Sequence, residues 1–373
     1  MPEPDPGVYS SRTAVRPNGT VNEAWPVRSP FFTHSMIGGN TYLLELLRDY
    51  RADLEIENTT SIAGFDAKIA ETRSLLQNAT ATLNITQAVV SGNELDIDIE
   101  VINLTGHKLP TGYPSRRMWL HMTVTDANNQ VVFESGAVDA DGQLSTDSNR
   151  LSANCLAVSK PPGFSSDDCY EPHRDVINNA SQVAIYETVL SDTNGDITHV
   201  LLHADSYLKE NRIPPRGFTN NAANAIEPQT RPAGIAGDGD FNVNTVEGSG
   251  SDVVHYRIDP GNQNGPYRVD VRLLYQAVQP AFIDSMHTNA QRVDRFKAMA
   301  QQNPPTVEVL ASSSTVSTTG GGNPATASGS SSGGGGCTMN RNGSADLALP
   351  LLALIIVLGY PGCRRWAKRE RCS

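Results

Sequence analysis

Hydrophobic and polar residues follow two different periods along this chain. Between residues 40 and 80, apolar side chains recur every three or four positions, which is the period of a helix. The pattern predicts two helices, over 40–54 with Asn40 as N-cap, and over 61–80. The apolar positions are Leu43, Leu44, Leu47 and Leu54 in the first helix, and Ile62, Phe65, Ile69 and Leu76 in the second.

From residue 83 onward the period is two. In "NELDIDIEVIN" every second residue is apolar, from Leu95 to Val101, which predicts a half-buried strand. "RMWLHMTVTD" alternates in the same way and leaves His121 on the outer face. Further predicted strands are "QVVFESGAV", "QVAIYETVL", "ITHVLLHA", "VVHYRI" and "YRVDVRLLYQAV". Short strands separated by polar turns indicate a β-sandwich.

The predicted fold is therefore α+β: a short N-terminal helical unit, an antiparallel β-sandwich and one C-terminal helix at about 280–301, followed by a disordered linker and a short transmembrane helix. The predicted domain boundaries are 1–25 for an extended N-terminal segment, 26–82 for the helical unit, 83–305 for the sandwich with its closing helix, 306–336 for a Ser/Thr/Gly-rich linker, and 337–373 for a C-terminal segment.

Charge and cysteines narrow the class of protein. The net charge is −11, with scattered acidic residues, which disfavours nucleic acid as a partner.

Among the five cysteines, Cys155 and Cys169 bracket a loop rich in Pro, Ser and Asp. In an oxidising compartment we expect them to form a disulfide, and two free thiols are the alternative.

The C-terminal segment combines a flexible linker, Gly336-Cys337, a charge-free run over 347–360 and an arginine-rich end. This order resembles the bacterial C-terminal sorting signals of the GlyGly-CTERM and JDVT-CTERM kind. The resemblance implies processing near Gly336 and Cys337 and passage to the cell surface. A plain membrane anchor is the alternative, and both place residues 1–336 outside the cytoplasm. The N-terminus has no signal-peptide pattern, so we expect the sequence to be the C-terminal part of a longer polypeptide.

Three of the eight histidines lie in loops constrained by Pro, Gly or a cysteine pair. These are His34 in "SPFFTHSMIGGN", His107 in "NLTGHKLPTGYPSRRMW" and His173 in "CYEPHRD". Such loops suit presentation of a neutral imidazole nitrogen to a metal. Histidines on strand faces, such as His121 and His255, need only a solvated or hydrogen-bonded role.

Four segments together resemble the C-terminal portion of bacterial multihaem c-type cytochromes, which follows their CxxCH-bearing part. The segments are "HSMIGGNTYLLELLRD", "NLTGHKLPTGYPSRRMWLHMTVTDANNQVVFESGAV", "PHRDVINNASQVAIYETVL" and "YLKENRIPPRGF". The resemblance covers about 26–300 and is most specific over 103–136 and 207–218. It implies that His34, His107 and His173 are distal axial ligands of haem c, and that Arg116 or Arg117 pairs with a haem propionate.

The chain itself contains no CxxCH motif and so does not attach haem c covalently. The resemblance therefore implies an upstream haem-bearing segment or a separate cytochrome subunit as partner, or a copy that has lost its haem-bearing part and has no cofactor. It also implies redox partner proteins and an electron-transfer role rather than a catalytic one. The alternative is a haem-free surface β-sandwich for binding or adhesion. Its turns "DADGQ", "DTNGD" and "GDGDFN" offer oxygen ligands for Ca²⁺, although hairpin turns also explain them. A hydrolase has the weakest support, because no nucleophile or zinc motif is present.

Overall fold

The computed structural model describes residues 37–157, 160–219, 232–261, 264–286 and 290–319, together with residues 11, 12, 18, 20, 24, 27 and 28. The helices are α1 (Thr41–Asp49), α2 (Ile62–Ala79), α3 (Asp147–Arg150), α4 (Ala153–Leu156), α5 (Pro280–Asp284) and α6 (Gln291–Gln302). The strands are β1 (Ser11–Arg12), β2 (Val27–Arg28), β3 (Ala81–Ser91), β4 (Glu94–Asn103), β5 (Arg117–Thr125), β6 (Val131–Ser135), β7 (Val176–Ile177), β8 (Ile185–Ser191), β9 (Ile197–Thr198), β10 (Ser206–Glu210), β11 (Val243–Asn244), β12 (Val246–Glu247), β13 (Ser251–Ile258), β14 (Arg268–Gln276), β15 (Val307–Val316) and β16 (Thr318–Thr319).

Two main sheets form the core of an α+β fold, as the alternating pattern predicts. One sheet has the order β10-β8-β5-β14-β15, with β6 and β9 at its side, and the other has the order β16-β3-β4-β13-β7. Most neighbouring strands are antiparallel, while β7 and β16 pair in parallel with β13 and β3. Side chains from both sheets share one hydrophobic core.

The period-two pattern places the core residues correctly. Leu95, Ile97, Ile99 and Val101 of β4 are buried, as are the alternating residues of β5 from Met118 to Val124. Strand β8 departs from the pattern because all seven of its residues are buried. One of its faces belongs to the main core, and the other contacts a second cluster that contains Trp119, Val183 and Ile185.

Both predicted N-terminal helices are present, although the first ends at Asp49 and not at residue 54. The side chain of Asn40 accepts a hydrogen bond from the Leu43 N–H at 2.9 Å, as its predicted N-cap role requires. The predicted inner face of α1 is wrong, because Tyr42 and Leu46 are buried while Leu43 and Leu47 are exposed. Tyr42 lies on the inner face, where its hydroxyl donates to the carbonyl of Asn303 at 3.0 Å. Both helices pack on the core of the sandwich.

Two predicted boundaries near the C-terminus need correction. The start of the predicted linker, 306–336, is strand β15, which pairs along the whole of β14. The single closing helix at about 280–301 is instead two helices, α5 and α6, with Ser285 as the C-cap of α5. No helix among the described residues is long and apolar enough to cross a membrane. The predicted helix over 347–360 lies outside these residues.

Candidate functional site

The loop that carries His107 connects β4 to β5 and is held by the buried side chain of Asn103. The Asn103 Nδ2 donates to the carbonyls of His107 at 2.7 Å and Ile213 at 3.0 Å. Its Oδ1 accepts from the Thr105 N–H at 2.8 Å. One amide thus fixes both the loop and the segment beside it, since a buried amide must satisfy its donors and acceptor internally.

The segment beside the loop is the stretch 207–218. Leu109 and Ile213 exchange two backbone hydrogen bonds of 2.9 Å. The Lys108 Nζ lies 3.7 Å from Oε1 of the buried Glu210. The two stretches on which the cytochrome resemblance is most specific, 103–136 and 207–218, therefore pack against each other at the base of the His107 loop.

The imidazole of His107 is exposed and has one ring nitrogen fixed. Its Nδ1 lies 3.0 Å from the carbonyl oxygen of Lys108 and 3.1 Å from the hydroxyl of Thr105. A carbonyl oxygen only accepts, so Nδ1 carries a hydrogen, and the neutral tautomer with this hydrogen has its lone pair on Nε2. No described residue hydrogen-bonds to Nε2. The loop thus presents one nitrogen in the protonation state that a metal ligand requires.

The two neighbouring arginines occupy different environments. Arg117 is fully buried: its Nη1 lies 2.6 Å from Asp147 Oδ1, its Nε donates to Gln276, and its guanidinium lies 5.2 Å above the ring of Trp119. A haem propionate has no access to it, so the suggestion that Arg117 pairs with a propionate does not fit the structure.

Arg116 is only partly buried, and its guanidinium has no hydrogen-bond partner among the described residues. It lies beside Gly112, which has a φ of +85°. The positive φ favours a glycine at this position, and a Cβ there would be 3.1 Å from the Arg116 Cζ, so the guanidinium would have to shift slightly. Of the two arginines, Arg116 remains the candidate for pairing with an anionic group.

The side chain of His173 is 5% exposed and has partners at both ring nitrogens. The Asn211 Nδ2 lies 3.0 Å from Nδ1, and Asp238 Oδ2 lies 2.6 Å from Nε2. The amide of Asn211 is oriented by the Glu187 N–H and the Ile185 carbonyl, so it donates to Nδ1 and Nε2 carries the hydrogen. His173 thus has no free nitrogen for a haem. His34 lies outside the described residues, as do Gly336 and Cys337.

Cys155 and Cys169 form a disulfide. The bond closes a loop of 14 residues, for which the chain-entropy relation gives about 3 kcal/mol of stabilisation. It lies next to a buried ionic network that links β5, β8, β10 and α3. Within this network Arg150 pairs with Glu187, and Lys209 Nζ lies 3.2 Å from Glu187 Oε1.

A group of acidic residues and histidines, here called the His/Asp cluster, lies at the edge strand β7 and the neighbouring β13. It consists of His173, Asp175, Asp238, Asp240, Asp252 and His255. The His255 Nε2 lies 3.1 Å from Asp240 Oδ2 and 3.8 Å from Asp175 Oδ1. Its Nδ1 lies 2.7 Å from Oδ1 of Asp98, the residue directly opposite on β4.

Burial and mutual repulsion raise the pKa values of three carboxyl groups in this cluster. Desolvation and the charge of Asp238 raise the pKa of Asp175 and, more strongly, that of Asp252. The pKa of Asp240 is raised by the same two causes, although its hydrogen bond to His255 opposes them. The cluster is therefore an environment in which a positive charge is favoured.

The alternating pattern predicted only a solvated or hydrogen-bonded role for His255 and no cluster at this position. A signal was present, because the outer faces of β4 and β13 carry Asp98 and His255, and "GDGDFN" supplies two more carboxylates. Their convergence depends on how the 232–250 segment folds over β13, which no local pattern specifies. The other two acidic turns are hairpin turns, in which Asp139 and Asp192 accept backbone N–H groups.

Comparisons with protein-family models and with curated proteins find no match. Among solved structures, the chain is similar to that of a penta-heme cytochrome c552 from Thermochromatium tepidum, with a TM-score of 0.32 and 15% identity. The similarity covers 65% of this chain and 41% of that cytochrome, so the chain spans less than half of its length. At this distance, the likeness decides neither the fold nor the function.

Proposed function

We propose that this chain is an electron-transfer module: the surface- or periplasm-directed portion of a multihaem c-type cytochrome. In this proposal, His107 supplies the distal axial ligand to a haem c that is attached to an upstream segment or to a separate subunit. The observation that carries the proposal is the state of the His107 ring, which is exposed, fixed through Nδ1 and free at Nε2. A distal haem ligand requires each of these properties.

The chain can supply the distal ligand of a haem c, but it cannot supply the covalent attachment. No CxxCH motif is present for covalent attachment, whereas His107 offers a sixth ligand. The Arg116 guanidinium, without a partner among the described residues, offers a charge for a propionate. When bound, the haem supplies the one-electron redox chemistry; the protein holds the imidazole and sets the local charge.

Two further parts of the proposal concern location and partners. The Cys155–Cys169 disulfide supports an oxidising compartment, since structural disulfides are rare in reducing ones. We propose that the chain is exported, is anchored in the membrane at least transiently through 347–360, and is processed near Gly336 and Cys337. Its partners are then the haem-bearing segment or subunit and redox proteins outside the cytoplasm.

The direct test uses the purified full chain and a haem c undecapeptide whose sixth coordination site is open. We expect the chain to convert the peptide from a high-spin to a low-spin absorbance spectrum. His107→Ala should weaken this conversion at least tenfold, because the free Nε2 is lost. His121→Ala is the control, because its Nε2 already lies 3.0 Å from Glu134.

A wild-type chain that leaves the spectrum unchanged, or a His107→Ala variant that matches wild type, would overturn the proposal. The polypeptide isolated from cell envelopes gives a second readout. A Soret band with a mass above that of the present sequence supports an upstream haem-bearing segment. A mass near 40.1 kDa without a Soret band contradicts that covalent arrangement and favours a haem-free surface module.

A further inference from the structure

The outer part of the His/Asp cluster has the layout of a metal site with an oriented histidine. The Asp98 carboxylate accepts the hydrogen of His255 Nδ1 at 2.7 Å, and Nε2 points to Asp240 Oδ2 at 3.1 Å. A metal ion can bind there by taking the place of the hydrogen on Nε2. A carboxylate that fixes a histidine in this way is the usual support of a metal-bound imidazole. Arg257 in turn donates to Asp98 at 2.9 Å and offsets its charge.

The ligand atoms converge on one point. The imidazole nitrogen of His255 and one carboxylate oxygen each of Asp175 and Asp240 all lie within 4.8 Å of one another. Ligands about 2.0–2.2 Å from a small divalent ion are separated by distances shorter than this limit. The side chains are 25% to 35% exposed, so an ion can enter from solvent and can keep a water ligand.

One carboxylate oxygen of this ligand set lacks a hydrogen-bond donor among the described residues. Asp175 Oδ1 is buried and has no hydrogen-bond partner, and it lies 3.8 Å from His255 Nε2. A buried carboxylate oxygen without a donor is costly, and a nearby cation relieves that cost.

His173 lies in the more buried half of the cluster, where its side chain is 5% exposed, against 25% for His255. Its Nε2–H donates to Asp238, so this pair holds the 238–240 turn in place beside the ion. Asp238 Oδ1 also accepts from the Asp240 N–H at 3.0 Å, which fixes the backbone from which the Asp240 side chain extends. The two halves of the cluster thus have different roles: one positions the turn and the other offers the ligands.

We propose that the His/Asp cluster binds one divalent transition-metal ion, with His255, Asp175 and Asp240 as its protein ligands. One imidazole nitrogen with two carboxylates suits Zn²⁺ or Mn²⁺ better than Ca²⁺, which prefers oxygen ligands alone. This inference is independent of the haem proposal, because none of these residues belongs to the His107 loop.

The test is calorimetric titration of the chelator-treated full chain with Zn²⁺. We expect one ion to bind, and each of Asp240→Asn and Asp175→Asn to weaken binding at least tenfold, since a neutral amide replaces an anionic ligand. Asp139→Asn is the matched control, because Asp139 lies in an exposed turn and only accepts backbone N–H groups. Far-UV circular dichroism verifies that the variants are folded.

The His107→Ala variant distinguishes Zn²⁺ binding at the His/Asp cluster from haem binding at His107. It also tests whether Zn²⁺ binds adventitiously to this exposed imidazole. Zn²⁺ affinity should be unchanged in this variant even if coordination of the haem peptide is lost. The proposal is overturned if the wild-type chain binds no Zn²⁺, if both cluster variants bind it as tightly as wild type, or if millimolar Ca²⁺ displaces it. A midpoint of thermal unfolding that rises with Zn²⁺ in wild type only is the second supporting readout.

Discussion

At the scale of single residues, the chemistry of this chain depends on hydrogen bonds that fix histidine rings. The sequence predicted that His107 occupies a constrained loop, because Gly and Pro flank it. It did not predict that Asn103 also binds the Ile213 carbonyl or that His173 is engaged at both nitrogens, since Ile213, Asn211 and Asp238 come from distant segments. Local composition thus identifies which histidines are constrained, while tertiary contacts decide which ring nitrogen is free.

Asn103→Ala tests the role of this amide. The change leaves buried carbonyls without a donor, so we expect the free energy of unfolding to fall by about 2–4 kcal/mol. Urea denaturation measures it. Asn84→Ala is the control, because Asn84 is exposed and donates only to Glu100; its cost should stay within about 0.5 kcal/mol. Equal losses in the two variants would show that Asn103 is not a structural anchor.

At the scale of elements, the alternation of apolar and polar residues predicted the central strands. It did not predict β15, because half of this strand is made of small polar residues. Strand β15 reads "VEVLASSSTV", and its second half consists mainly of small polar residues that resemble a linker. Its first half contains Leu310, which is 1% exposed within the core. Pairing with β14 over its whole length stabilises a strand that its own sequence favours only weakly.

Leu310→Ala tests whether β15 is part of the core. Removal of this buried side chain should lower the free energy of unfolding by about 2–5 kcal/mol, through lost burial and a residual cavity. Val316→Ala is the control in the same strand, because Val316 is 53% exposed, and we expect a loss below about 1 kcal/mol. Chemical denaturation of both variants gives the comparison; a Leu310→Ala loss as small as the control's would place this segment outside the core.

At the scale of the whole molecule, the buried ionic network links parts of the fold that are distant in sequence. Burial alone would raise the pKa of Glu187, but the charges of Arg150 and Lys209 outweigh it and lower the pKa to about 2. No pattern in the sequence predicted this network. Its charged residues lie in four separate segments, and hydropathy patterns assign charged residues to the surface, so they do not reveal a buried charge.

The network makes stability depend on pH in a defined window. The pKa of Glu187 is lower in the folded than in the unfolded chain, so its contribution is present above about pH 4.5 and is lost as the pH falls toward 2. The difference between these values corresponds to roughly 3 kcal/mol. Denaturant unfolding between pH 5 and 2.5 should show a steeper loss of stability in wild type than in Glu187→Gln. Glu134→Gln, at an exposed position, should retain the wild-type slope.

The position of the last strands has a consequence for the order of events during synthesis. Strand β15 covers the outer edge of β14, and β16 then pairs with β3, whose residues precede it by more than two hundred positions. Until residues 307–319 leave the ribosome, β14 has an open edge with unpaired N–H and C=O groups. Contacts between such distant segments form slowly, so the growing chain passes through a stage at which its half-finished sheet can recruit a strand from another molecule.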